Sequence, residues 1–155
     1  MRRRRAEQRP LVPDPKYNNV IAGKFINCLM RDGKKYLAEH IFYEALKIAE
    51  EKAKTSGTSI LSQAINNVKP TIEVRPKRIG GATYQVPREV RASRRLALTI
   101  RWIIQAAKSK RGRPMAEKLA EELVLASKGE GAAHKRKEDM HKMAEANKAF
   151  AHYRW

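Results

Sequence analysis

The sequence predicts a mainly α-helical fold, a single-domain bundle of about six helices with a protruding two-stranded β-hairpin arm between the third and fourth helices. Apolar residues recur at helical spacing in six separate stretches, and they alternate with polar residues in only one region, 71–87. A chain of 155 residues, 42% of them hydrophobic, is long enough to bury roughly 70% of its unfolded surface in one core. The prediction is therefore one domain over residues 1–155.

An arm and three helices are predicted for the first 70 residues. Residues 1–17 combine an arginine run with three prolines, which favours an extended basic arm. Residues 18–70 contain helices one to three, and Thr58 or Ser59 is expected to cap the third. The predicted core positions are Ile21, Phe25, Cys28 and Leu29 in the first helix, Leu37, Ile41, Ala45 and Ile48 in the second, and Ile60 or Leu61, Ala64, Ile65 and Val68 in the third. Cys28, the only cysteine, is thus expected to be a small buried hydrophobe.

Residues 71–87 are predicted to form a β-hairpin. Gly80-Gly81 separates two alternating runs and suits a two-residue turn in which both central residues need positive φ. Pro76 and Pro87 each remove a ladder donor, so neither strand can be central in a wider sheet. Because an isolated two-stranded ribbon is marginally stable, we expect this one to protrude and to gain order from a binding partner.

Residues 90–150 are predicted to form helices four to six, followed by a tail over residues 151–155. Ser93 is a candidate cap for the fourth helix, and Pro114 lies at the start of the fifth, where its missing N–H has no consequence. Trp102 lies beside the core stripe of the fourth helix and is expected to pack. The predicted core positions are Leu96, Ile100, Ile103, Ile104 and Ala107, then Met115, Leu119, Leu123 and Ala126, then Met140, Met143 and Ala144.

The net charge is large and unevenly placed. Lysine and arginine number 34 against 16 aspartates and glutamates, so the formal charge is +18. Residues 1–35 have a net charge of +7 and residues 71–113 one of +10, whereas residues 36–70 are neutral and residues 114–155 have +1. A compact protein so charged repels itself unless something anionic lies against it. The distribution predicts a folded scaffold that presents a basic surface to a nucleic acid.

The candidate nucleic-acid-binding residues are arginines and lysines in five groups. Those on the fourth helix are spaced by three, four and seven residues, so they share a face opposite the apolar stripe. Arginine adds bidentate forks for phosphates and planes that stack on bases. The candidates are Arg2, Arg3, Arg4, Arg5 and Arg9 in the arm, Lys34 and Lys35 at a helix junction, Arg75, Lys77 and Arg78 on the hairpin, Arg91, Arg94, Arg95, Arg101 and Lys108 on the fourth helix, and Lys110, Arg111 and Arg113 after it.

Aromatic residues among the cations favour RNA over DNA. Tyr84 on the hairpin, and Tyr153 and Trp155 on either side of Arg154, suit stacking on unpaired bases. A DNA-architectural or transcription factor remains an alternative, because a basic helix face also fits a duplex. Residues 111–114 match the core of a minor-groove AT-hook, although here they join two predicted helices, and the arginine run also resembles a nuclear-localisation signal.

The sequence predicts no catalytic, cofactor or metal site and no small-molecule substrate. No Ser/His/Asp or Cys/His constellation is evident, and residues 33–35 lack the glycine spacing and the Ser/Thr of a P-loop. His134, Glu138 and His141 lie at i, i+4 and i+7, but a zinc site needs three or four supported ligands, so we expect an ordinary polar helix face. An RNA-modifying enzyme, the third alternative, would need a cofactor pocket. The sequence contains no run of about 18 apolar residues, so no membrane span is predicted.

Three motifs carry a resemblance to a known family. Residues 16–19 with residues 33–45, the hairpin sequence GGATYQVP at residues 80–87, and the ending AHYRW at residues 151–155 are similar to the bacterial-type family of the seventh small-subunit ribosomal protein. The similarity covers essentially the whole chain, in order.

The resemblance implies a function without catalysis in the cytoplasmic ribosome of a bacterium, or in a plastid. Such a protein binds the 3′ major domain of 16S rRNA, nucleates assembly of the head of the small subunit, and lies at the subunit interface. The hairpin, with Arg78, Gly80, Gly81 and Tyr84, is expected near the exit-site tRNA and the mRNA path. The implied protein partners are small-subunit proteins nine and eleven.

Overall fold

A computed structural model of the protein describes residue 10 and residues 12–154. Within them the element order is α1 (Val20–Leu29), α2 (Lys35–Ala53), α3 (Gly57–Val68), β1 (Ile72–Ile79), β2 (Ala82–Glu89), α4 (Ala92–Ser109), α5 (Met115–Ser127), α6 (Gly131–Ala146) and a C-terminal 3₁₀ helix (Lys148–Arg154). The mainly helical fold with a hairpin between the third and fourth helices is confirmed. The predicted arm residues Arg2, Arg3, Arg4, Arg5 and Arg9, and also Trp155, lie outside the described residues.

The chain divides into two compact units, residues 1–39 and residues 40–155. The prediction of one domain over the whole chain stays a prediction. Among the helices that the structure describes, none is both long and apolar enough to cross a membrane.

In the first unit, a buried carboxylate organises the turn that leads into α1. Asp14 is buried, and its Oδ2 accepts hydrogen bonds from the backbone N–H groups of Lys16 (3.2 Å) and Tyr17 (3.0 Å). The side chain of Asn19 then accepts from Ile21 N at 2.8 Å and caps the helix. Gly23 allows this turn to approach α1, since a Cβ there would lie 2.6 Å from the carbonyl oxygen of Val12.

The predicted core faces of α1 and α2 were partly correct. Phe25, Leu29 and Ala45 are buried as predicted, but other predicted positions are not. Cys28 is exposed, so the expectation of a buried thiol was wrong. In α2, Leu37 is 53% exposed, while Ala38 and Phe42 are buried. Apolar residues occupy adjacent positions in both helices, and the helical period alone does not decide which of two neighbouring stripes is buried. Burying the larger Phe42 ring removes more apolar surface from water than burying Ile41.

The core of the second unit forms where α5 packs against α3, α4 and α6. All predicted core positions of α3 are buried, and so is Trp102 of α4, as expected. The predicted caps differ, because α3 begins at Gly57 and α4 at Ala92, so that Thr58, Ser59 and Ser93 lie inside their helices. At the start of α3, Gly57 N donates to Glu50 Oε1 at 2.7 Å, which satisfies one free N–H of the helix end.

Helix α6 is held by polar contacts more than by apolar burial. Met143 is 49% exposed, so its predicted inward position was wrong. The inward face instead carries Ala133 and Ala144 with two polar anchors. Lys137 Nζ donates to the carbonyl oxygen of Asn67 at 2.6 Å, and His141 Nε2 accepts from Thr71 N at 3.2 Å. A helix with few large apolar residues thus takes its orientation from hydrogen bonds.

The hairpin has the predicted turn and the predicted two strands. Gly80 (φ +57°) and Gly81 (φ +89°) both have the positive φ that a two-residue turn of this kind needs, and Lys77 pairs with Tyr84 in the register. The ribbon is not left without support, because α6 and the C-terminal 3₁₀ helix pack against it. The expectation that the ribbon gains further order from a binding partner stays a prediction.

Candidate nucleic-acid interface

The structure contains the predicted basic face of α4, which lies opposite the core. Arg94, Arg101 and Lys108 recur every seven residues and are exposed, whereas Ile100 and Ile103 are fully buried. At 1.5 Å per residue, the stripe from Arg94 to Lys108 is about 21 Å long. One helix therefore displays cations along a length that spans several nucleotides of a nucleic acid.

A further cation joins this stripe from α6. Gln105 lies on the same exposed face of α4, and its Oε1 accepts a hydrogen bond from Arg136 Nη1 at 2.9 Å. Arg136 was not among the cations predicted from the sequence. It lies in a segment with a net charge of +1, so only the packing of α6 on α4 brings it to the basic face.

Four of the predicted arginines are exposed and have no acidic partner among residues 12–154. The side chains of Arg78, Arg91, Arg101 and Arg111 are exposed and form no ion pair with a described carboxylate. A guanidinium in this situation is fully available to a phosphate, to which it can donate two parallel hydrogen bonds. These arginines lie on the ribbon, at both ends of α4 and midway along it.

Other predicted cations are already paired within the second unit. Lys110 Nζ lies 3.1 Å from Oε2 of the fully buried Glu122 and 3.6 Å from Glu121 Oε2, and Arg113 Nη1 lies 3.8 Å from the same Glu121 oxygen. Glu122 also accepts from Ala133 N at 2.9 Å through Oε1. Lys110 thus helps to compensate a buried charge, which gives it a structural role independent of any ligand.

Two of the predicted cations are anchored to backbone carbonyls. Arg95 Nε donates to the carbonyl oxygen of Val90 at 2.7 Å, and Lys77 Nζ donates to that of Tyr153 at 3.1 Å. Each bond satisfies an acceptor in a turn or a short helix. Arg95 and Lys77 keep their charge near the surface, but their side chains are oriented by the protein itself.

Glu73 is a carboxylate within this interface that was not predicted from the sequence. Its carboxylate accepts from Arg75 Nε at 2.7 Å and from Arg94 Nε at 2.9 and 2.8 Å. Glu73 and Arg75 are two positions apart and so share one face of β1. That spacing was the only available signal, and it could not show that Arg94 of α4 completes the group.

In the first unit, the predicted cations lie beside an exposed aromatic ring. Lys34 and Lys35 are exposed at the start of α2, and Lys35 Nζ lies 3.7 Å from Glu39 Oε1. Tyr36 follows directly and is 84% exposed. An aromatic residue immediately after two lysines is a sequence signal for base stacking, but Tyr36 was not among the residues predicted from the sequence.

Tyr84 has a different environment from the one predicted. Its ring packs against Phe150 (centroids 5.1 Å apart) and Tyr153 (5.5 Å) of the C-terminal 3₁₀ helix. Stacking of Tyr84 or Tyr153 on a nucleobase would require this packing to open. The structure thus gives the two rings a role in holding the ribbon.

The histidines of α6 do not come together around a metal site. His134 Nδ1 lies 3.8 Å from Glu138 Oε1, whereas His141 faces Thr71, and no group of three metal-binding side chains occurs among the described residues. Burial and the nearby Lys137 ammonium lower the pKa of His141 below 6.5, so its ring favours the neutral form that accepts from Thr71 N. A cleft of about 410 Å³ beside this histidine is lined by Ile72, Pro87, His141, Ala144, Glu145, Lys148 and Ala151.

Comparison with known proteins agrees with the basic helical scaffold. A family model described as ribosomal protein S7p/S5e matches residues 1–148. The chain is 59% identical over 155 residues to the small ribosomal subunit protein uS7 of Thermosipho melanesiensis and 57% identical over 155 residues to that of Thermotoga maritima, covering the full length of each. It is 59% identical over 156 residues to the full-length uS7 of a Nitratiruptor species. The chain therefore belongs to the ribosomal protein S7p/S5e family, as the sequence motifs predicted.

Proposed function

We propose that this protein is a structural constituent of the small ribosomal subunit that binds the 3′ major domain of 16S rRNA and nucleates assembly of the subunit head. The observation that carries the proposal is the α4 stripe, where exposed cations lie opposite a fully buried apolar face. The rigid helices α3, α4, α5 and α6 hold these cations at fixed separations. Phosphates from separate rRNA segments can then be bound in one arrangement, with no chemical step.

The proposed surroundings follow the family resemblance. The hairpin tip, with Arg78 and the Gly80-Gly81 turn, lies near the exit-site tRNA and the mRNA path, and small-subunit proteins nine and eleven are neighbours. Tyr36, which follows Lys34 and Lys35 and is exposed, stacks on an unpaired base. The protein works in the ribosome of a bacterial cytoplasm.

A binding titration with a transcript of the 3′ major domain tests the proposal. If 6 to 10 phosphates are contacted, the affinity should fall by roughly 10³- to 10⁵-fold between 50 and 200 mM salt. The transcript should also outcompete duplex DNA of equal length. Preference for the duplex would support the DNA-architectural alternative, and a nearly flat salt response would refute the electrostatic basis of the proposal.

A matched pair of variants localises the surface. Arg101→Gln removes an exposed, unpaired cation from the α4 stripe, so it should weaken binding and lower the salt slope by about 1. Lys47→Gln makes the same charge change on an exposed position of α2, in the segment without net charge, and should leave the slope unchanged. Equal effects of the two variants would show that only net charge matters.

A further inference from the structure

Glu73 is a buried carboxylate in the middle of a basic surface. It is only 6% exposed and is the one buried residue of β1. Its two oxygens accept one hydrogen bond from Arg75 on its own strand and one three-centre hydrogen bond from the single Nε–H of Arg94, on the first turn of α4. The carboxylate therefore joins the base of the hairpin to the basic helix.

The two guanidiniums remain accessible although they are paired. The side chain of Arg75 is 46% exposed and that of Arg94 is 45% exposed, and both donate to Glu73 through Nε. Two guanidiniums that approach one another without an anion between them repel. The Glu73 carboxylate reduces this repulsion, so the guanidiniums of Arg75 and Arg94 can lie close together. The three side chains together have a net charge of +1.

We propose that Glu73 is a positioning residue, which orients Arg75 and Arg94 as a pair that binds one backbone phosphate of RNA. The inference rests on the proposed rRNA binding and deepens it by assigning a phosphate site and its support. Long arginine side chains lose rotamer freedom when they bind a ligand. Because the short bonds to Glu73 already restrict the two side chains in the free protein, they lose less rotamer freedom when they bind a phosphate.

The Glu73→Gln substitution distinguishes a positioning role from a purely electrostatic one, because the two roles predict opposite changes in RNA affinity. The variant raises the net charge from +18 to +19, since one carboxylate is removed. If Glu73 only reduced the positive potential, the variant would bind a 3′ major domain transcript more tightly. We expect instead a loss of about tenfold, the lower end of the losses seen when partners behind metal ligands are removed.

Glu121→Gln is the matched control. It makes the same charge change next to two predicted cations, but its carboxylate is 41% exposed and lies 3.6 and 3.8 Å from Lys110 and Arg113. This variant should bind at least as tightly as the wild type. Glu73→Asp, which keeps the charge, should recover part of the affinity lost in Glu73→Gln.

A double-mutant cycle keeps the inference testable if Glu73→Gln lowers stability. Arg94→Gln should weaken binding in the wild-type background and have a much smaller effect in the Glu73→Gln background, because the pair is already disrupted there. Additive effects, or tighter binding of Glu73→Gln, would overturn the positioning role. Failure of the wild-type protein to bind the transcript would instead refute the proposed function, so the two failures are distinguishable. Thermal unfolding of each variant identifies any sample that is not folded at the temperature of the assay.

Discussion

The aromatic cluster between the hairpin and the C-terminal 3₁₀ helix predicts how firmly the ribbon is held. Tyr84 lies in β2 two residues after the strand begins, close to the turn, and contacts Phe150 and Tyr153. Replacing it by alanine removes both ring contacts. Since each aromatic pair contributes about 0.5–1.5 kcal/mol beyond its area burial, the two lost pairs alone should lower the free energy of local opening in Tyr84→Ala by about 1–3 kcal/mol, and the lost buried area adds to this.

Amide hydrogen exchange of the free protein measures this free energy locally. A loss of about 1–3 kcal/mol corresponds to roughly 5- to 150-fold faster exchange, because 1.4 kcal/mol is a factor of ten. The acceleration should be confined to the ribbon, over residues 75–79 and 82–86. Amides of α5 report the core of the second unit and should exchange at the wild-type rate, because the cluster does not include α5.

Tyr84→Phe serves as the control, since it keeps the ring and removes only the hydroxyl group. It should exchange nearly as slowly as the wild type. The reasoning is refuted if Tyr84→Ala leaves the ribbon amides unchanged, or if both variants accelerate exchange equally. Acceleration throughout α5 would show that Tyr84 supports the whole unit and not the ribbon alone.

Three further predictions concern titration, stacking and the turn. Because the pKa of His141 is lowered in the folded state, the unfolded chain binds more protons than the folded chain below pH 6.5. The stability of the protein should therefore fall as the pH drops through this range. Thermal unfolding at pH 7.5 and 5.5 should show a smaller fall for His141→Gln than for the wild type. Tyr36→Ala should weaken RNA binding by about 1–3 kcal/mol without changing the unfolding temperature, whereas Tyr36→Trp should bind like the wild type in the same titration. Shortening the ribbon at residues 79–82 should leave rRNA affinity nearly intact but alter tRNA or mRNA binding to reconstituted small subunits. Failed subunit assembly with that variant would contradict the separation of roles.

The features that could be predicted from the sequence are those that local chemistry decides. The turn at Gly80-Gly81 requires positive φ at two successive positions, which few other residue pairs accept. The core face of α3 was correct because the adjacent pairs Ile60-Leu61 and Ala64-Ile65 belong to one stripe with Val68, and the other positions of residues 58–68 are polar. The basic face of α4 followed from the same helical period.

The remaining features depend on contacts between distant parts of the chain. The pairing of Glu73 with Arg94 joins residues 21 positions apart, and that of Tyr84 with Phe150 joins residues still further apart. Nothing in the local pattern distinguishes Glu73 from a solvated glutamate, or Tyr84 from an exposed tyrosine. In α1 and α2, adjacent apolar residues left two faces open, and only tertiary packing chooses between them.

Internal carboxylates also determine how much of the charge can act on RNA. Eleven of the predicted cations lie in residues 71–113. Four of them pair with three buried or half-exposed carboxylates, Glu73, Glu121 and Glu122. The effective charge of this set is therefore 11 − 3 = 8. Each neutralised phosphate contributes about 0.9 to the slope of log affinity against log salt concentration. This set can therefore contribute a slope of at most about 7 in magnitude, whereas eleven independent cations could contribute about 10. The paired arginines are thus expected to contribute geometry more than charge. A mutation of Arg94 should therefore change affinity more than it changes the salt slope, and a mutation of Arg101 should change both together.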